Sequence, residues 1–480
     1  MHQLSAPAII NDISQLTVVI FDLLTPPNFE KVIDNTGGIQ RKGTYKTREP
    51  LSALDDDHAR IASYAHQLRV ILAHSDDLLK FEEICHRAKC QPLPTRFNHH
   101  LDVYAMHLFR DDFIDIVSDW IKSLGCWKSA FQIESCVRYG LLNTYDLLVS
   151  LRKPIEAVIR DYASGANDLL RLFSVALRTR APSESLSACL ARIRVEYPKI
   201  KPLNLASGKI LCHHAVITPS RILLEGPYVT QSNRVIRHYQ THDPSLIDYF
   251  LRVEFRDEDL LSYRWDYWVD STSFLQKRIG RILHEGLEIG GRMFKFLGYS
   301  NSSLRDHTVW FVARFRDPID GFVTANRIRA SLGDFSKLLR TPSKYGSRIA
   351  LAFTATEPSV KIRRGQWEEI DELGPHTDGV GTISPILADM IWEEKCKAKG
   401  YLRENRVKPS AYQFRFLGYK GVVVVDSRLE GIKLRLRKSQ RKFLVHDKQA
   451  EFEIARTFDY PNPVHLNRFV FFTSYNIRIR

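Results

Sequence analysis

Pro409-Ser410-Ala411-Tyr412-Gln413-Phe414-Arg415, followed by Gly418-Tyr419-Lys420-Gly421-Val422-Val423 and Asp426, is the stretch on which the fold turns. Tyr412 to Asp426 is rich in aromatic and β-branched residues and bounded by Pro, Ser and Asp, which predicts strand. Lys420 stands at the head of the apolar run Gly421 to Val425, where a buried strand would fix its ammonium. Just beyond, Ile432-Lys433-Leu434-Arg435-Leu436-Arg437 alternates apolar and basic residues with period two, which puts Lys433, Arg435 and Arg437 on one face of a strand. Such a stripe suits a phosphate backbone, and Tyr412, Tyr419 and Phe443 are core residues or stacking platforms for bases.

The charge around this stretch supports a polyanionic partner. The 480-residue chain has a formal net charge of +14, and residues 401–480 hold 17 Lys and Arg against 7 Asp and Glu, so ten of those charges lie in the last 80 residues. Clustered cations gain free energy by releasing counterions from phosphates. A hydrophobic fraction of 44% with 26% charged residues describes a folded chain long enough for about three domains. The apolar stretch Leu16 to Leu24 is interrupted by Asp22 and lacks a basic leader, so it fails as a signal peptide or membrane span. Seven scattered cysteines argue against a disulfide framework. The expectation is an intracellular protein of the nucleus, the cytoplasm or both, with no membrane partner.

Farther from the deciding stretch the texture changes twice. Ile61, Tyr64, Ala65, Leu68 and Ile71 recur at helical spacing, as do the apolar residues of Leu101 to Leu124 and Leu141 to Leu177. Asp55 to Asp57 would suit a helix N-terminus. Arg180 to Pro202 closes this region, and strand-like runs follow at Ala215 to Thr218, Arg221 to Leu224, Phe250 to Phe255 and Val309 to Phe315. Helices return at Phe274 to Leu287 and Pro385 to Lys399. The fold class is therefore α+β, with a mainly helical N-terminal region over 1–200, a mixed α/β region over 201–400 and strands over 401–480.

Four stretches resemble, in order, the cellular RNA-dependent RNA polymerases of RNA silencing, in their fungal form. The first holds Thr218-Pro219-Ser220-Arg221-Ile222-Leu223, Ser232-Asn233-Arg234-Val235 and Phe250-Leu251-Arg252-Val253 leading to Asp257-Glu258. The second runs from Gly290-Gly291-Arg292-Met293-Phe294 through Trp310-Phe311-Val312-Ala313 to Gly333-Asp334-Phe335-Ser336. The third joins Lys344-Tyr345 and Arg348 to Thr377-Asp378-Gly379-Val380-Gly381, departing from the family at Leu351, His376 and Thr382. The fourth is the opening stretch with Leu436-Arg437, Ser439 and Lys442-Phe443; Leu466-Asn467-Arg468 is also similar.

The resemblance implies an active site between two double-psi β-barrels, one offering lysines and the other a loop of aspartates that holds magnesium. It places the lysine barrel here, with Lys420 and Lys442 as catalytic lysines and Lys344, Arg348, Arg415, Lys433, Arg435 and Arg437 on nucleic acid. A lysine can hold triphosphate oxygens and donate a proton to departing pyrophosphate. No Asp-x-Asp-Gly-Asp run occurs in the sequence. The aspartate barrel is therefore expected to be absent, the family member truncated and the chain alone inactive; Mg2+ is expected for the full-length enzyme and not for this chain. The partners implied are a single-stranded RNA template, nucleoside triphosphates and silencing-pathway proteins. The alternative is a non-catalytic RNA-binding remnant or scaffold of the same family. Cys85, Cys90, His99 and His100 lack zinc-knuckle spacing and are not assigned a metal. Gly379 and Gly381 are either a tight turn or a close approach of backbone amides to phosphate. No P-loop, nucleophile elbow or dinucleotide fingerprint occurs.

Overall fold

The computed structural model describes residues 8–11, 17–22, 29–36, 44–51, 67–72, 74–88, 93–95, 111–144, 146–181, 183–197, 204–206, 208–264, 274–374, 377–400, 407–445 and 450–457. The chain forms two compact units: residues 1–205, 210–230 and 235–329 make the first, and residues 206–209, 231–234 and 330–480 the second. No helix of the described residues is long and apolar enough to cross a membrane.

The first unit opens with β1 (Ala8–Asn11), β2 (Thr17–Asp22), β3 (Phe29–Thr36), β4 (Thr44–Leu51), β5 (Gln67–Leu72), α1 (Ser75–Arg87) and β6 (Leu93–Thr95). Four of the strands form a sheet in the order β5-β2-β1-β6, and β3 pairs with β4. This corrects the helix read at Leu68 and Ile71: both lie in β5, antiparallel to β2 with Thr17 opposite Leu72. Val18, Val19 and Ile20 face Ile71, Val70 and Arg69, five of the six β-branched, and this strand pairing overrides a spacing that merely fits a helix. Ile61, Tyr64, Ala65, the Asp55 to Asp57 triplet, Cys90, His99 and His100 lie outside the described residues.

Helical periodicity prevails from residue 111. α2 (Asp111–Ser123), α3 (Trp127–Arg138), a π-helical turn at Asp146–Leu151 running into α4 (Arg152–Tyr162), α5 (Ala166–Arg178) and α6 (Leu186–Glu196) share a core that includes Ile121, Ile133, Leu151, Phe173 and Leu190. The other face of α3 carries Trp127 and Phe131 into the core of a six-stranded sheet, ordered β10-β11-β12-β9-β7-β8. Its strands are β7 (Lys209–Ile217), β8 (Ile222–Gln231), β9 (Phe250–Phe255), β10 (Leu287–Ile289), β11 (Arg292–Gly298) and β12 (Thr308–Ala313). Polar bonds fix the helix on the sheet: Trp127 Nε1 donates to the Ile289 carbonyl at 2.9 Å, and Ser135 Oγ to the Leu224 carbonyl at 2.6 Å. α7 (Arg234–His242) follows β8, and the hairpin β13 (Phe315–Asp317) and β14 (Gly321–Val323) follows β12.

The second unit is built on one mixed seven-stranded sheet, in the order β15-β21-β18-β19-β17-β20-β16. Its elements are α8 (Pro342–Ile349), β15 (Glu357–Ile362), β16 (Trp367–Ile370), β17 (Val380–Ile383), α9 (Pro385–Lys399), β18 (Ala411–Phe416), β19 (Tyr419–Val425), β20 (Leu434–Arg437) and β21 (Ala450–Thr457). The sheet thus draws on residues ahead of the division read at 400. Two parallel pairs, β17 with β19 and β16 with β20, are joined by antiparallel β17 and β20. Parallel pairing of β17 with β19 needs a crossover, which α9 supplies: Ser384 caps it, Pro385 starts it, and Gly400 ends it in the left-handed conformation at φ 64°. Tyr412, Phe414 and Phe416 of β18 point into the sheet's core with Val423, Leu434 and Leu436.

Candidate functional site

The hairpin β18–β19 positions the first lysine. Leu417 and Gly418 both have positive φ, 42° and 81°, the pattern of a two-residue turn whose twist matches that of its strands. This sets Arg415 opposite Lys420. Like charges directly opposite repel, so the sequence pays stability for the pair unless an anion lies between.

The second lysine arrives on the segment after β20. Lys442 N–H donates to the Gly418 carbonyl at 2.9 Å, and Asp334 N–H to the Leu444 carbonyl at 3.0 Å. The Phe443 ring packs on Phe335 at 4.8 Å and lies over Gly333, where a Cβ would collide with it. Lys442 Nζ itself donates to the Ser439 carbonyl. The loop is therefore pinned on both sides of the lysine.

Four predicted residues share this place. Burial holds the Lys420 ammonium below its ordinary range, and Arg415, Lys442 and Arg348 push it in the same direction. Lys442 is lowered too, by burial and by Arg348, with Asp378 opposing. Burial likewise lowers Arg415, whose Nη1 reaches only the Phe414 carbonyl and whose buried Nε has no hydrogen-bond partner, while Glu453 offers partial compensation. A desolvated cation normally carries a matched anion. Lys420, Lys442, Arg348 and Arg415 outnumber Asp378 and Glu453, and Glu453 is itself bonded to Thr356 at 2.8 Å. Beside them is a cleft lined by Arg234, Leu351, Arg415, Gly418, Tyr419 and Glu453, among others. The arrangement is a cluster of cations short of matched carboxylates among the described residues. Among the described residues no group of three carboxylates, histidines or cysteines converges near Lys420.

The remaining predicted residues scatter. Lys344 is exposed on α8, one turn before Arg348 on the same face. Lys433 is exposed at the approach to β20, and Arg435 is paired with Glu368 at 2.6 Å. Arg437 is 5% exposed, with Nε donating to the Val380 carbonyl at 2.9 Å and Nη1 to the Asp371 carbonyl. This corrects the basic stripe: the alternation is real, but Arg437 is committed to two main-chain carbonyls. Of the two readings of Tyr412, Tyr419 and Phe443, the structure takes the core one, because all three are buried. Tyr419 donates to Glu369 at 2.6 Å, and burial with that carboxylate pushes its hydroxyl up to about 12.

Gly379 and Gly381 serve packing. Gly379 N–H is spent on Ser439 Oγ at 2.9 Å, and a Cβ on Gly381 would strike the Arg435 carbonyl and Gln440. Gln440 is the residue that sequence reasoning missed. Its buried amide donates to the Gly379 carbonyl at 3.2 Å and the Val422 carbonyl at 3.0 Å, and accepts from Arg437 N–H at 2.9 Å. It ties β17, β19 and β20 together behind Lys420. A lone glutamine between Ser439 and Arg441 carries no signal for that role. Arg234 and Glu453 were also missed, since 181 and 38 residues separate them from Arg415.

The family profile described as RNA dependent RNA polymerase matches residues 217–471, just over half of the chain. RNA-dependent RNA polymerase 1 of Arabidopsis thaliana is 35% identical over 284 residues, covering 56% of this chain and 24% of that protein. RNA-dependent RNA polymerase 1 of Schizosaccharomyces pombe is 29% identical over 332 residues, covering 65% of this chain and 24% of that protein. Among solved structures, RNA dependent RNA polymerase QDE-1 from Thielavia terrestris aligns with a TM-score of 0.41 and 19% identity, covering 62% of this chain and 33% of that one. The chain thus spans about a quarter of the length of these curated relatives.

Proposed function

The chain belongs to the cellular RNA-dependent RNA polymerase family, and from that premise we propose that it supplies the cationic side of a nucleotidyl-transfer site that copies single-stranded RNA into double-stranded RNA in RNA silencing. The observation that carries this reading is the convergence of Lys420, Lys442 and Arg415, each lowered by burial, beside Arg348, with too few carboxylates among the described residues to balance them. In nucleotidyl transfer a ribose 3′-hydroxyl attacks the α-phosphate and expels pyrophosphate, so negative charge builds on the leaving group. Lys420 and Lys442 hold the triphosphate oxygens, and the one nearer the leaving group donates its proton. Arg415 and Arg348 fix the phosphates by directed N–H bonds. Lys344 and Lys433, both exposed, hold template phosphates, and Arg435 joins them when it releases Glu368.

The seven-stranded sheet, with its interlocked parallel pairs, is read as the lysine-bearing double-psi β-barrel of the family. Magnesium does not fit the cationic cluster, so the carboxylates that hold it belong to a separate barrel. The chain by itself is then a receptor without turnover.

The test is equilibrium binding of the 480-residue chain to single-stranded RNA, followed by synthesis assays with and without a fragment bearing an Asp-x-Asp-Gly-Asp loop. Three template-phosphate contacts on a single strand, at Lys344, Lys433 and Arg435, give a salt slope near −2, or about 20-fold weaker binding between 50 and 200 mM salt. Synthesis appears only with the added fragment. Salt-insensitive binding would remove the phosphate reading, and template-dependent synthesis by the chain alone would place its metal ligands elsewhere.

A further inference from the structure

The first unit carries a second cluster of donor atoms that the polymerase reading does not use. His238 and His242 stand four residues apart on α7, so their side chains share one face of the helix. Their rings meet edge to face with centroids 4.6 Å apart. Asp320 reaches the same point from the turn between β13 and β14, its Oδ2 3.3 Å from His238 Nε2. One ligand atom from each of His238, His242 and Asp320 lies within 4.8 Å of the others.

The geometry points to a divalent transition-metal site formed by His238, His242 and Asp320, with Zn2+ as the ion it fits best. Three observations carry it. Metal–nitrogen and metal–oxygen bonds of about 2.0–2.1 Å at a tetrahedral angle separate ligand atoms by roughly 3.3 Å, which is the spacing already present between His238 and Asp320. His242 is oriented from behind: Asp317, a buried carboxylate, lies 2.9 Å from its Nδ1, which fixes the proton there and leaves Nε2 as the lone-pair donor. This carboxylate–histidine pair is the outer support that metal-binding histidines characteristically have.

The turn is also preorganised. Asp317 Oδ1 accepts the N–H groups of Ile319 at 2.8 Å and of Asp320 at 2.6 Å, so one side chain aligns both His242 and the backbone that carries Asp320. Two imidazoles and one carboxylate leave a fourth position open to water, and this nitrogen-rich set disfavours Mg2+ and Ca2+. The nearby cation Arg327 donates to the Phe322 carbonyl at 2.9 Å. Without a metal, His238 and Asp320 are merely an exposed pair of the kind that adds little stability. With one, α7 is clipped to a hairpin about 80 residues onward, closing a long loop.

The experiment uses the full chain, stripped with chelator and titrated with Zn2+ by calorimetry, with Co2+ as a spectroscopic probe. One equivalent of Zn2+ is expected to bind at micromolar concentration or tighter and to raise the melting temperature. Co2+ should give the intense visible bands of a four-coordinate site. His238 is exposed, so His238→Ala spares the core; it and Asp320→Asn should each weaken this Zn2+ equivalent at least tenfold while leaving the melting temperature in chelator unchanged. RNA binding should be the same in both variants, which separates this site from the lysine cluster. A chain that takes up no stoichiometric Zn2+, or whose variants bind it as tightly as the parent, would overturn the assignment.

Discussion

Replacing Gln440 by alanine should damage the second unit out of proportion to the atoms removed. The side chain is completely buried and makes three hydrogen bonds to main-chain groups, of Gly379 just ahead of β17, Val422 of β19 and Arg437 of β20. Two of these partners have different fates once the amide is gone. The Gly379 carbonyl still accepts from Val422 N–H at 3.0 Å, whereas buried Arg437 loses the Gln440 acceptor of its N–H. Three lost bonds at ~1 kcal/mol each, plus the ~1–2 kcal/mol cost of an orphaned buried donor, come to about 4–5 kcal/mol. For a domain of this size each kcal/mol shifts the melting temperature by ~2–4 °C, so a fall of roughly 10–15 °C is expected. Thermal denaturation followed by circular dichroism reads it directly. Gln440→Glu separates bonding from volume: it is isosteric, yet it sets a carboxylate oxygen against the Gly379 and Val422 carbonyls, and should be at least as destabilising at neutral pH. A shift under about 2 °C for the alanine variant, or tolerance of glutamate, would refute the view that this amide holds the strands behind Lys420.

Other consequences follow from the same cluster. Arg437→Ala should lower stability by about 2–4 kcal/mol because two carbonyls lose a charged donor, while Arg435→Ala should leave the melting temperature nearly unchanged and weaken RNA binding; urea denaturation beside filter binding distinguishes them. Lys420→Ala, in a chain reconstituted with an aspartate-bearing fragment, should depress turnover more than RNA affinity, and equal losses in both would demote Lys420 to a general phosphate contact. The pH dependence has a definite sign. The Lys420 ammonium is held below its ordinary value by burial and by Arg415, Lys442 and Arg348, so the unliganded fold gains stability as pH rises through that lowered value toward 10.5. Triphosphate affinity should run the other way, falling over the same window as the positive charge is lost. Calorimetry in buffers of different ionisation enthalpy would show proton uptake on binding, and its absence would mean that Lys420 is not in contact with the anion.

Much of the second unit was legible because local and tertiary preferences agree there. Ser384-Pro385 and Gly400 bracket α9 with chemistry that has few other uses, and Tyr412 to Asp426 combines β-branched and aromatic residues with a positive-φ glycine at the turn. Lys420, Lys442, Arg348 and Arg415 are each legible in the sequence, and the structure brings their charges within electrostatic reach of one another. The failures have physical causes. Leu68 and Ile71 fit two periods at once, and only β2, some fifty residues earlier, decides between them. Arg437 obeys the alternation of its strand, but whether a guanidinium meets a phosphate or a carbonyl depends on Val380 and Asp371, which the spacing in β20 does not encode. His238 and Asp320 are invisible as a pair for the same reason.

The electrostatics of the cluster bear on why its frame is so heavily tied. Four cations drawn into one partly desolvated place repel one another, and each lowered ammonium records free energy that folding has supplied against that repulsion. A loosely held loop would relieve the cost by swinging Lys442 into water. Here it is prevented from doing so by the Gly418 carbonyl, by Phe443 seated on Gly333, and by the Asp334 bond to Leu444, none of which involves the ammonium itself. Gln440 and the close packing at Gly381 and Gly421 perform the same service for Lys420. The strain is therefore retained in the unliganded chain, and on the proposed reading phosphate oxygens would release it. A ligand that binds only the folded state should consequently stabilise this unit: pyrophosphate at a hundred times its dissociation constant raises stability by about 2.7 kcal/mol. Lys420→Ala should itself stabilise the unliganded chain while abolishing most of that gain. A substitution that strengthens the fold and weakens the ligand response marks a charge held for function, and no purely structural lysine would behave that way.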